Sequence, residues 1–142
     1  MAYQEKYALV FGIIAVLAYG VYIALVAPQL ASTPLAELDW VAPMLWSIGG
    51  AIVAGIIVGI VLGIVSPKGA DRSDERDKRI SSFGDNVGNS IVVIGGVAVI
   101  ILSMLRVDWF WIANAMYLAF VISAVLSTMA KLGAYRVGLD SL

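Results

Sequence analysis

The segment VGNSIVVIGGVAVIILSML, residues 87–105, and the segment WFWIANAMYLAFVISAVLSTMA, residues 109–130, hold no charge and are separated only by Arg106, Val107 and Asp108. An α-helix rises about 1.5 Å per residue, so about 20 apolar residues cross the roughly 30 Å of hydrocarbon in a bilayer. Both segments meet that length, and three connecting residues force the chain straight back. They read as an antiparallel transmembrane hairpin.

Working towards the N-terminus, Trp40 to Val65 is a third uncharged run, long enough for a tilted span, and Tyr7 to Ala27 is a fourth. Pro28 is expected to end the Tyr7–Ala27 run and Ser66-Pro67 the Trp40–Val65 run, because proline supplies no backbone donor to continue a helix. The polar stretch from Gln29 to Asp39 reads as a loop. The fold expected is all-α: one polytopic transmembrane domain, residues 1–142, built as a four-helix bundle of two antiparallel hairpins. Its spans are 7–27, 40–65, 87–105 and 109–130, with a charged connector over 66–86. Tyr3, Tyr7, Trp40, Trp109, Phe110, Trp111 and Tyr135 mark the ends of these spans, as aromatic rings do at a membrane surface. The first run exceeds the core of a secretory signal, and Val26-Ala27-Pro28 is a poor cleavage site, so it reads as a retained helix.

Composition agrees. Of 142 residues, 61% are hydrophobic and 13% charged, about half the charged share of a water-soluble domain. A formal net charge of −1 excludes nucleic-acid binding through bulk positive charge. With no Cys and no His, the chain lacks thiol nucleophiles, thiolate metal sites and the commonest general base. Expectation is therefore of no catalytic, cofactor or metal residues.

Orientation follows from the bases. With the N-terminus inside, Lys6, Lys68, Arg72, Arg76, Lys78, Arg79, Lys131 and Arg136 all lie on the cytoplasmic side and only Arg106 lies outside. The positive-inside tendency thus places both termini in the cytoplasm and the protein in the plasma membrane.

Gly55, Gly59 and Gly63 stand at four-residue spacing on one stripe of the second span. Such a bare stripe lets another backbone approach closely, which matters in lipid because little hydrophobic drive brings helices together there. Two readings stay open: packing within the bundle, or a homodimer through Gly55, Gly59 and Gly63. The fourth span has its own ladder of Ala115, Ala119, Ser123 and Ser127, and the third has Gly88, Gly95 and Gly96.

No ionisable residue lies within the four runs, so the relay expected of a proton-coupled pump is missing. The candidate intramembrane polar contacts are Asn89, Ser90, Asn114 and Ser123. They are read as bonds back to helix carbonyls or across to a neighbouring helix, or as the lining of a path through an oligomer.

The connector interleaves its charges. Asp74 with Lys78 and Glu75 with Arg79 are acid-before-base pairs four apart, and Ser73 is a helix cap. A short helix is expected to start there and to bend at Gly84 into the third span, with Ile80, Phe83 and Val87 on one side and Ser82, Asn86 and Asn89 on a second stripe. The acids nearly cancel the bases, so anionic lipid is not drawn by charge alone. Nor do Asp71, Asp74, Glu75 and Asp77 form the glycine-turned loop that a calcium site requires. The candidate interaction residues are Asp74, Glu75, Arg76, Asp77 and Arg79, facing a cytosolic protein partner.

The element Asp74-Glu75-Arg76-Asp77-Lys78-Arg79-Ile80, followed by a hairpin containing Phe110-Trp111-Ile112-Ala113-Asn114, resembles a family of small multi-span membrane proteins of bacteria and archaea. In these an Asp-Glu-Arg-Asp-x-x-Ile element precedes a pair of spans. The similarity runs from about Asp71 to Arg136. It implies a membrane protein without assigned activity, whose genes sometimes neighbour small helix-turn-helix regulators, and it carries no catalytic residues. The expected function is that of a non-enzymatic accessory or regulator-associated membrane protein acting through its connector. The alternative is a small homo-oligomeric channel or transporter.

Overall fold

The computed structural model of the chain describes residues 3–65 and 75–138. Four long helices account for nearly all of it: α1 Tyr3–Leu30, α2 Val41–Val65, α3 Glu75–Met104 and α4 Trp109–Val137, with one 3-10 turn at Leu35–Glu37. Each is long and apolar enough to cross a bilayer, and they pack as a bundle. The protein is an integral membrane protein with four candidate spans, and lipid contact follows from them. Aliphatic side chains such as Ile56, Ile64, Ile100 and Leu105 point outwards, as hydrocarbon permits and water does not.

Within the bundle α4 is flanked by α3 along its length and by α1 on another side, while α2 leans chiefly on α1. The packing differs between the two ends. Towards the turn joining α3 to α4, the core is aromatic: Tyr22, Val26, Leu38, Met44, Phe110 and Tyr117 are buried together. Tyr19 meets Tyr117 edge-on with ring centroids 5.1 Å apart, and Trp40 meets Phe110 in the same way at 5.7 Å, the arrangements that ring quadrupoles favour. Towards the end carrying most of the bases, called here the basic end, small residues do the packing. A Cβ on Gly12 would stand 2.6 Å from Thr128 Oγ1, one on Gly88 would stand 2.9 Å from Ser123 Oγ, and one on Gly95 would collide with Ala119. Only hydrogen at these positions lets the backbones come so close, and in lipid that van der Waals contact carries much of the association.

Three expectations change. Pro28 does not end α1, which runs on to Leu30 with the proline inside its last turn. One helical bond is lost there, a smaller penalty than in mid-helix. Gly84 does not interrupt α3, which is one helix of 30 residues, roughly 45 Å at 1.5 Å per residue. Its first turns are held by matching extra turns of α4, which continues past residue 130 to Val137. The 29–39 loop is not simply polar either. Leu38 is buried and Leu35 and Trp40 pack on the aromatic core, so the loop folds back over that end of the bundle. The expected cap at Ser73 lies outside the described residues.

The α3–α4 turn shows why so short a link suffices. Arg106 takes a left-handed conformation, φ 56°. Its N–H bonds to the Ser103 carbonyl and the Val107 N–H reaches the Leu102 carbonyl, both at 3.1 Å, the pattern of a Schellman C-cap. Asp108 then caps α4, its carboxylate accepting the Phe110 N–H at 2.9 Å.

Candidate functional site

At the basic end, α3 and α4 project together beyond what 30 Å of hydrocarbon requires, and side chains from both helices tie the projection shut. The Tyr135 hydroxyl donates to Asp77 Oδ1 at 2.6 Å. Arg76 lies over the Tyr135 ring, 5.5 Å from its centroid, and donates through Nη2 to the Tyr135 carbonyl at 3.0 Å. That carbonyl belongs to the last turn of α4, where the helix has no donors of its own and the macrodipole is negative, so a guanidinium is favoured there twice over. One turn deeper, Lys131 pairs with Asp85 at 3.0 Å. Its aliphatic stem lies across Gly84, where a Cβ would collide with it, so the ammonium reaches Asp85 while the methylenes stay packed.

Arg76 and Asp77, two of the five residues singled out in the connector, are therefore fastened to α4 through Tyr135. Glu75 and Arg79 stand exposed on the first turns of α3, with Lys78 between them. Asp74 lies outside the described residues. Tyr135, Lys131 and Asp85 were not among the sequence candidates. Tyr135 reads in sequence as one more interfacial ring, and its position one turn after Lys131 is the only hint that both serve the same contact.

The intramembrane polar residues divide between two places. Asn114 sits in the bundle, where its Oδ1 accepts from the Tyr22 hydroxyl at 2.5 Å and its Nδ2 donates to the Phe110 carbonyl at 2.7 Å. Nearby, Ser47 Oγ donates to the Met44 carbonyl at 3.0 Å and lies 2.8 Å from the Tyr117 hydroxyl. Serine has one proton to give, so Tyr117 is the donor in that pair. Ser123 donates to the Gly88 carbonyl at 2.8 Å, bonding α4 to α3 beside the close approach at Gly88. Ser90 and Asn89 are instead exposed on the outer face of α3, and Ser90 bonds back to the Asn86 carbonyl at 2.9 Å. The four residues do not converge on one cavity. Sequence missed the partners Tyr22, Ser47 and Tyr117, since a tyrosine in a span reads first as hydrophobic area.

The α2 glycine stripe is filled from within the chain over part of its length. A Cβ on Gly55 would stand 2.9 Å from the ring of Phe11, and one on Gly59 would stand 3.7 Å from Tyr7. Those two rings stack on each other with centroids 4.4 Å apart, so α1 lays a stacked pair into the groove. Gly63, nearer the basic end, faces open space. A cleft of about 550 Å³ opens beside this contact, walled by Phe11, Ile52, Ile56 and Ala124, its polar side chains being Tyr7, Ser127, Thr128 and Lys131. Among the described residues no group of acids could hold a metal ion.

Against family models, curated proteins and solved structures the chain has no match.

Proposed function

We propose that this chain is a non-enzymatic multi-pass protein of the plasma membrane, in an accessory or regulator-associated role, acting through contacts made by the charged end of α3. Both termini face the cytoplasm in this reading, in keeping with the eight-to-one split of bases between the two sides. One observation carries the proposal: Tyr135 holds Arg76 and Asp77 against the end of α4. That clasp keeps the first turns of α3 helical and upright and leaves Glu75, Lys78 and Arg79 as an exposed, alternating-charge surface of fixed shape for a cytosolic protein. Repacking of the bundle would expose or occlude this surface.

The test is crosslinking and affinity recovery from intact membranes with Lys78→Glu and Arg79→Glu combined, neither of which takes part in the clasp. Loss of the recovered partner with the fold retained is the expected result, and unchanged recovery removes the docking surface. A cysteine at position 76 should stay unlabelled by membrane-impermeant reagents in whole cells. The channel or transporter reading gains nothing from Ser90, Asn114 and Ser123, because each bonds within the chain.

A further inference from the structure

The face of α3 turned away from α4 has a regular composition. Ser82, Asn89, Gly96 and Ser103 recur every seventh residue, and Asn86, Val93 and Ile100 recur every seventh between them. Val93 and Ile100 are 65% and 57% exposed, and no atom comes within 4 Å of where a Gly96 Cβ would stand. Two interleaved sevens make a repeat of 3.5 residues, the period of a seam that stays in contact with a second helix in a left-handed supercoil. Among the described residues nothing covers this seam.

Its polar members say what covers it. Asn89 lies inside the uncharged run 87–105, near its basic end, and Asn86 stands just outside it beside Asp85. Among the described residues neither the Asn86 nor the Asn89 side-chain amide has a hydrogen-bond partner; the Ser90 hydroxyl bonds only to the Asn86 backbone carbonyl. Lipid tails offer the Asn89 amide nothing. An identical amide offers everything, since each supplies donors and an acceptor. A twofold axis along the membrane normal brings each asparagine against its own copy. The outer face of α2 has no such groups, and part of its glycine stripe is already filled by Phe11 and Tyr7.

We propose that the chain forms a parallel homodimer through this face of α3, with Asn86 and Asn89 paired across the twofold axis. This reading goes beyond the docking surface above and does not depend on it. The chain has no cysteine, so single cysteines can report directly when membranes are treated with an oxidant. Gly96→Cys, Ile100→Cys and Ser103→Cys should give disulfide-linked dimers at least about fivefold more than Ile94→Cys and Ile101→Cys, which are exposed but roughly a third of a turn away. Equal yields at all five positions, or a dominant yield from Gly63→Cys on α2, overturn the proposal. Photobleaching of the labelled, cysteine-free chain in phosphatidylcholine bilayers should count two copies, and Asn86→Leu with Asn89→Leu should weaken dimerisation about three- to tenfold. Single copies at every protein density overturn it; if those copies retain anionic phospholipid, the face belongs to headgroups.

Discussion

The Tyr135 hydroxyl and the Asp77 carboxylate, 58 residues apart in sequence, meet at 2.6 Å and join the last turn of α4 to the first turn of α3. The bond is charge-assisted but half-buried, so its worth is about 1 kcal/mol rather than the 1.5–3 kcal/mol of a fully desolvated case. Tyr135→Phe and Asp77→Asn should each lower stability by about that amount, and the double variant should cost less than the two singles added. Reversible unfolding in mixed micelles measures all three. Strict additivity removes the bond from the account, whereas faster amide exchange over Glu75–Phe83 in Tyr135→Phe supports it.

The glycines of α3 and α2 should respond differently to enlargement. Gly95 stands against Ala119 and Gly88 against Ser123, with backbone or short side chains as neighbours. Neither neighbour can swing aside. Gly95→Leu and Gly88→Leu should therefore cost at least about 2 kcal/mol or splay the hairpin. Gly63→Leu and Gly49→Leu face open space and should shift stability by less than about 0.5 kcal/mol. Gly55→Ala falls between, because only the edge of the Phe11 ring must move. Equal sensitivity at Gly95 and Gly63 would contradict the packing described for α3 and α4.

That contrast also marks what a reader of the sequence can see. Uncharged runs of about 20 residues announce four spans, because nothing but hydrocarbon or a buried core suits them. The ends are harder. Residues 75–86 are polar enough to pass for a connector, and they are helical because Tyr135 and Lys131, some 50 residues later, hold them. Four-residue spacing of glycines shows that a groove exists and not what fills it, so packing within the bundle and a homodimer are equally compatible with the α2 stripe until Phe11 and Tyr7 are seen to occupy part of it. The second stripe of Ser82, Asn86 and Asn89 was legible as a pattern. Only the bundle shows that it faces outwards. Asn114 was visible as a polar residue in a span, yet its partner Tyr22 is 92 residues away and no local rule connects them.

The tight α3–α4 turn carries a prediction of opposite signs at neighbouring positions. Arg106 holds φ at 56°, a region that costs an L-residue roughly 1 kcal/mol and glycine almost nothing. Arg106→Gly should raise stability by up to about 1 kcal/mol, with the loss of the charge tested separately by Arg106→Gln. Asp108→Ala removes the acceptor of the Phe110 N–H and should lower stability by about 1 kcal/mol. If both variants leave the unfolding midpoint unchanged, the two caps do not hold this turn.

The Tyr22 and Asn114 pair tests packing against transport in one experiment. In Tyr22→Phe the Asn114 Oδ1 loses its donor; in Asn114→Leu the Tyr22 hydroxyl loses its acceptor and the Phe110 carbonyl its extra bond. Each single change strands a buried polar group, which costs about 1–2 kcal/mol. Tyr22→Phe with Asn114→Leu leaves an apolar contact of similar shape, so the double variant should recover part of the loss, with a coupling of about 0.6–1.7 kcal/mol. The same double variant in liposomes should pass ions and protons no faster or slower than the unaltered chain, both at the rate of empty vesicles. A flux above that baseline which disappears on Asn114→Leu would assign the asparagine to a conducting path and make its bond to Tyr22 a gate rather than a strut.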